Sequence, residues 1–138
     1  MIKIRAATEH DLKACEKLSH IDELKTPEGD YPNYRYLKEF LGKELFFVAV
    51  NNNRIIGYIA GEILNGKIVY LNCLAVESNE RGKGIGTKLM TEFMKTVKDL
   101  KVNMLFFFVP TNNKQSVKFY QKHGFVKGKD YAFFCKSF

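Results

Sequence analysis

The sequence predicts a single α/β domain, residues 1–138, built on a mixed sheet with the element order β-α-α-β-β-β-α-β-α-β-β. Three observations support this prediction. The 138 residues are 46% hydrophobic and 14% aromatic, which is enough to bury one core. Short apolar or alternating runs are interspersed with stretches of helical period. No repeat, low-complexity tract or Pro-rich linker divides the chain.

The N-terminal third predicts one strand and two helices. Apolar and basic residues alternate over residues 2–6, as in a strand. Thr8 with an aspartate three residues later is a helix-start signal and predicts a helix over residues 9–20. Residues 21–35 contain two prolines and are expected to form a loop, followed by a short helix over residues 34–41.

The middle of the chain predicts three antiparallel strands in succession. They are expected over residues 46–50, 55–64 and 68–76. Asn51 to Asn53 form the first turn, and Asn65-Gly66 is a strong signal for a tight hairpin at the second.

The C-terminal half predicts a helix–strand–helix succession and a final pair of strands. Apolar residues at helical spacing predict a helix over residues 84–100. The expected elements after it are a strand over 104–109, a helix over 114–123 closed by Gly124, and strands over 125–126 and 131–135.

The cysteine and histidine patterns argue against two kinds of site. Three cysteines without a C-x-x-C pair do not form a disulfide framework, and three widely spaced histidines offer no metal-ligand spacing. We therefore expect no metal. No apolar run approaches the roughly 18 residues of a membrane span, and the N-terminus lacks a secretory signal, so we expect a soluble, cytoplasmic protein that does not associate with membranes.

Charge is distributed unevenly around a net charge of +7. Residues 1–33 hold five basic and seven acidic side chains, whereas residues 34–138 hold 17 basic and eight acidic ones. The basic part could face nucleic acid or a phosphorylated cofactor, and the acidic part could face a cationic ligand. A solvated lysine-rich surface without a partner accounts equally well for this charge.

The most informative segment lies between the third of these central strands and the next helix, and its residues are Arg81-Gly82-Lys83-Gly84-Ile85-Gly86-Thr87. Glycines let a ligand approach the backbone, and N–H groups at a helix N-terminus favour phosphate. The P-loop and dinucleotide-binding patterns both fail from Gly82, because Thr87 stands where each requires glycine. The dinucleotide-binding pattern also fails from Gly84, because Leu89 stands at its third glycine. A turn that only caps the helix is the alternative.

Two blocks of sequence together resemble the GNAT superfamily of N-acetyltransferases. The loop Arg81–Gly86 matches the R/Q-x-x-G-x-G/A pattern, and residues 71–76 look like the strand that precedes it in the family. About thirty residues further on, Asn113-x-x-Ser116-x-x-Phe119-Tyr120-x-x-x-Gly124-Phe125 is similar to a second family signature. The similarity of order and spacing covers nearly the whole chain.

The resemblance implies that acetyl-CoA lies in a splayed opening between the strands at residues 71–76 and 104–109, and that an amine attacks it directly in a ternary complex. By the same resemblance, the backbone of Leu74, Ala75 and Val76 binds the acetyl and pantetheine groups. The pyrophosphate would be held by Arg81, Gly82, Lys83, Gly84, Ile85, Gly86 and Thr87. Asn113 would contact pantetheine, Ser116 and Phe119 would line the CoA side of the last helix, and Tyr120 would stand near the thioester sulfur. There its hydroxyl suits protonation of the leaving thiolate; a core aromatic is its alternative.

The general base is less clearly indicated. Many members of the family carry a glutamate on the strand before the glycine loop, but residues 68–76 contain no carboxylate. Glu62, on the preceding strand, is the nearest candidate, and a plain solvated residue is its alternative. A water held by Tyr70 or Asn72 could also serve, since a base can act through one water.

Two other functions remain open at this stage. The absent strand carboxylate is compatible with a CoA-binding sensor that does not turn over, and the basic charge with a nucleic-acid-binding module, although no nucleic-acid-binding motif supports the latter. The acceptor would contact the variable region at residues 21–35, whose acidity weakly favours a cationic amine. A monomer or a homodimer is expected.

Overall fold

The computed structural model describes residues 1–138. The chain divides into two compact units, Met1–Phe107 and Phe108–Phe138. The single-domain interpretation stays a prediction.

The N-terminal unit holds a five-stranded mixed sheet. Its strands are β1 (Lys3–Ala6), β2 (Phe46–Asn51), β3 (Arg54–Leu64), β4 (Ile68–Val76) and β5 (Met104–Phe106). They lie in the order β1-β2-β3-β4-β5; the first four pair antiparallel and β5 pairs parallel to β4. The predicted α/β class with a mixed sheet is confirmed. The predicted hairpin at Asn65-Gly66 is confirmed as well. Both residues have positive φ, and the turn covers residues 65–67 between the paired residues Leu64 and Ile68.

Four α-helices are present: α1 (Leu12–Leu18), α2 (Tyr34–Lys38) and α3 (Ile85–Asp99) in the N-terminal unit, and α4 (Lys114–Lys122) in the C-terminal unit. The first predicted helix is shorter than expected, because residues Glu9–Asp11 form a 3-10 turn ahead of α1. None of these helices combines the length and apolar composition that crossing a bilayer requires.

The sheet of the N-terminal unit is covered on both faces. Tyr58 on β3 belongs to a buried cluster with Leu12 and Cys15 of α1 and Leu37 of α2. The neighbouring Gly57 points to the opposite face, where Leu89 and Ile85 of α3 lie within 3.4 Å of the position a Cβ would take there. This alternation follows from the period of a strand, whose successive residues face opposite sides.

Two predicted strands are wrong: residues 125–126 and 131–135 form no strand, and β5 covers only three residues of the predicted 104–109. The backbone N–H of Phe125 donates instead to the carbonyl of Tyr120 at 3.1 Å, and Gly124 adopts a φ of +89°. These features close α4, and the N–H is then not available to a sheet. Apolar and aromatic residues indicate strand propensity, but a strand also needs a partner for its ladder.

Candidate active site

Strand β4 is paired unequally along its two edges. On one side it pairs with β3 over its whole length, from Ile68 to Val76. On the other side it pairs with β5 only from Ile68 to Tyr70, because β5 ends at Phe106. The backbone of residues 71–76 therefore has an edge that no strand of the sheet covers. Leu74, Ala75 and Val76, the predicted cofactor-binding residues of this strand, lie on this part of β4.

A β-bulge interrupts the same strand at Asn72. Ala60 of β3 pairs with Cys73 and Gly61 pairs with Leu71, so that Asn72 has no partner on β3. A bulge changes the side to which a side chain points. The Asn72 side chain accordingly reaches α2, while Cys73 belongs to the buried cluster under α1 and α2.

The Asn72 carboxamide joins two other polar side chains. Its Nδ2 donates to Glu62 Oε1 at 3.1 Å and to the hydroxyl of Tyr36 at 3.2 Å. Its Oδ1 is buried without a hydrogen-bond partner. Burial raises the pKa of Tyr36 to about 12, and burial also raises the pKa of Tyr70, so both phenols are neutral at pH 7.

A cavity of about 370 Å³ adjoins Asn72. The predicted acceptor loop forms most of its wall, and Glu23 and Lys25 bring one charge of each sign. The full lining is Glu23, Leu24, Lys25, Thr26, Tyr31, Pro32, Asn33, Tyr36, Asn72 and Cys73. The Cys73 thiol, whose pKa burial raises to about 12, is neutral at pH 7. No group of three or more His, Cys, Asp or Glu side chains is arranged as a metal site.

The glycine loop leads from β4 into α3 through a 3-10 turn at Ser78–Glu80. Gly82 and Gly84 adopt φ values of +78° and +82°, which other L-residues rarely adopt. A Cβ built on either glycine would meet nothing within 4 Å, so the loop borders open space. Gly84 is the N-cap of the 15-residue helix α3, and its neighbours Ile85, Gly86 and Thr87 form the first turn.

The cations of the loop are held by the protein itself. Arg81 donates from Nε to the carbonyl oxygen of Val76 at 3.2 Å, which ties the loop to the end of β4. Lys83 Nζ lies 3.1 Å from Glu80 Oε2.

Sequence reasoning missed Arg54 at this end of the sheet. Its guanidinium contacts Glu77 at 2.7 Å and Glu80 at 3.5 Å. The hairpin register between the two central strands was the available signal, since it brings the start of β3 beside the end of β4.

The remaining predicted residues lie in the C-terminal unit. Asn113 caps α4, with Oδ1 accepting from the backbone N–H of Ser116 at 3.1 Å. Ser116, Phe119 and Tyr120 share one face of the helix by their spacing. The Tyr120 ring packs edge-on against Phe119 and Phe125, with centroids 5.2 Å and 6.0 Å away. Their contacts with a cofactor stay predictions.

A family model and the similar proteins both indicate one family of acetyltransferases. The model of the Acetyltransferase (GNAT) family matches residues 9–125. An N-alpha-acetyltransferase of Sulfurisphaera tokodaii is 30% identical over 133 residues, which are 86% of this chain and 78% of that protein.

Two further matches differ in what they cover. The putative phosphinothricin acetyltransferase YwnH of Bacillus subtilis is 27% identical over 89 residues; the match spans 62% of this chain but only 55% of that relative's length. Among solved structures, Ard1 from Thermoplasma volcanium superposes with a TM-score of 0.81 at 22% identity, covering 93% of this chain and 84% of that one. At this identity the structural match establishes the fold alone.

Proposed function

Because this chain belongs to the GNAT family of acetyltransferases, we propose that it transfers the acetyl group of acetyl-CoA directly to a primary amine of a small molecule or peptide. The observation that carries the proposal is that the uncovered edge of β4 adjoins both the glycine loop and the cavity in the N-terminal unit. The uncovered edge of β4 runs into the glycine loop at one end, and the bulge of the same strand borders the cavity.

The donor is acetyl-CoA. An extended pantetheine arm can add to the uncovered edge of β4 as a peptide adds to a sheet, through the backbone of Leu74, Ala75 and Val76. The pyrophosphate would then meet the loop from Arg81 to Thr87, where the α3 N-terminus offers N–H groups and the open space beside Gly82 and Gly84 leaves room.

The acceptor amine would occupy the cavity beside Asn72. The Glu23 carboxylate supports a cationic amine, and Lys25 supports an acceptor that carries an anionic or carbonyl oxygen as well. The names of the relatives include both an N-alpha-acetyltransferase and a putative phosphinothricin acetyltransferase. Peptide N-termini and small amines are therefore both acceptor classes to be tested.

Proton transfers complete the reaction. A cationic acceptor first loses one proton to become a neutral amine. Its nitrogen then forms a bond to the acetyl carbon, the carbon–sulfur bond breaks, and the nitrogen loses a second proton. Glu62 is the proposed base, acting through a water, since its half-buried carboxylate lies behind Asn72 rather than in the cavity lining. The neutral phenols of Tyr36 and Tyr70 are too weakly ionised for this role. Tyr120 is the proposed donor to the CoA thiolate.

A panel of peptides and small amines, assayed for thiol release from acetyl-CoA, tests this function. We expect release that depends on the amine and falls by roughly 10²-fold or more in Glu62→Gln, with the control Glu39→Gln unchanged. If acetyl-CoA raises the melting temperature but no amine stimulates thiol release, the chain is instead a CoA-binding module without turnover, which the lack of a carboxylate on β4 would explain.

A further inference from the structure

The carboxamide oxygen of Asn72 is an acceptor without a donor. It is buried, and no hydrogen bond reaches it. Native structures pair nearly all buried polar groups because an unpaired one destabilises the fold, so such an atom calls for an explanation. Asn72 also lines the cavity proposed for the acceptor.

The orientation of this amide is fixed by its neighbours. The Glu62 carboxylate only accepts hydrogen bonds, so the amide nitrogen and not its oxygen must face Glu62. The second N–H of the same nitrogen is used by the Tyr36 hydroxyl. Oδ1 is therefore turned away from both Glu62 and the Tyr36 hydroxyl. Flipping the amide would not give Oδ1 a donor at Glu62, because it would place Oδ1 against a carboxylate oxygen.

We propose that Asn72 Oδ1 accepts a hydrogen bond from the reacting nitrogen of the acceptor, and that this bond selects primary over secondary amines. The inference rests on the proposed acetyl transfer. Since Oδ1 is buried, a side chain must move before a donor can reach it.

Selectivity follows from counting N–H groups during the transfer. When a primary amine attacks the acetyl carbon, its nitrogen carries two hydrogens. One leaves to the base as a proton. The other stays bound to the nitrogen, hydrogen-bonded to Asn72 Oδ1, and remains in the amide product. A secondary amine has one hydrogen at that stage, so the base and Asn72 compete for it. The secondary amine must break its bond to Asn72 to complete the reaction.

The test compares two pairs of acceptors that differ by one N-methyl group. They are a hexapeptide beginning with Ala and its N-methyl-Ala counterpart, and benzylamine and N-methylbenzylamine. We expect the ratio of kcat/KM for the primary over the secondary amine to fall about tenfold in Asn72→Ala. The exposed residue Asn103 supplies the control Asn103→Ala, in which the ratio should stay as in the wild type.

A measurement on the wild type covers the case in which Asn72→Ala does not fold. In the CoA complex of protein labelled with ¹⁵N-asparagine, the Asn72 side-chain amide signals should shift on adding benzylamine and shift less with ethylbenzene, which has the same shape but no N–H group. Equal or absent shifts, or an unchanged kinetic ratio in a folded Asn72→Ala, would overturn the inference while leaving acetyl transfer intact. Loss of the proposed function would be recognised separately, as no thiol release with any amine.

Discussion

Replacing Gly84 by alanine should have two separate effects, a loss of folding stability and a loss of affinity for acetyl-CoA. Gly84 has a φ of +82°, and the added Cβ would meet no protein atom within 4 Å. Gly66, in the hairpin between β3 and β4, is a matched control, because its φ is +70° and its Cβ would also meet nothing. Only Gly84 belongs to the loop proposed to hold the pyrophosphate.

The two variants should lose similar stability. A left-handed conformation costs an L-residue about 1–2 kcal/mol, and with no clash to add, each alanine should lower the melting temperature by roughly 3–8 °C. The stabilisation by bound acetyl-CoA should differ between the two variants. At a concentration a hundred times its Kd, acetyl-CoA stabilises the native state by about 2.7 kcal/mol, and a tenfold weaker Kd reduces this to about 1.4 kcal/mol.

Thermal unfolding of wild type, Gly84→Ala and Gly66→Ala, each with and without acetyl-CoA at one fixed concentration, measures both terms. We expect Gly66→Ala to keep the wild-type ligand-induced increase and Gly84→Ala to lose about half of it or more. Calorimetric titration should report the same change in Kd. An equal ligand-induced increase in the two variants would refute the role of this loop in phosphate binding.

Three other perturbations have defined outcomes. Tyr120→Phe should reduce the single-turnover rate constant of acetyl transfer by about 10²-fold with little change in acetyl-CoA affinity. A wild-type rate constant would make Tyr120 a packing residue. Asp11→Asn should cost about 2 kcal/mol at pH 7 by urea unfolding, because Asp11 is buried and bonded at 2.7 Å and 3.0 Å to a half-exposed Arg5. Burial alone would raise the pKa of Asp11, but Arg5 and a backbone N–H outweigh it and hold that pKa below its usual value. The stabilisation is therefore present above about pH 4 and lost below it, so the difference from wild type should shrink in acid; a constant difference contradicts this account. Gly61→Ala should destabilise by about 1–3 kcal/mol, since its Cβ would lie 2.6 Å from Phe93 Cζ and 2.7 Å from the backbone carbonyl oxygen of Tyr70; a neutral effect in urea unfolding would show that both the Phe93 ring and the β4 backbone move freely.

Local signals in the sequence were sufficient for most of the N-terminal unit. Strand alternation, the Asn65-Gly66 turn and the glycines ahead of α3 depend on φ preferences and on side-chain period, which adjacent residues determine. The same kind of signal failed after α4. The apolar residues at 131–135 have strand composition, yet composition carries no information on whether a neighbouring strand is present to complete the ladder.

The sequence by itself determined the fold class, the family and the loop proposed for the pyrophosphate, because each rests on short blocks of neighbouring residues whose order along the chain is known. Only the tertiary structure decided how the centre of the site is arranged. The bulge at Asn72 depends on the register between β3 and β4, and the contacts of its amide join residues from α2, β3 and β4. Such contacts form between segments that are distant in sequence. Their geometry is set by packing, which no local pattern of residues encodes.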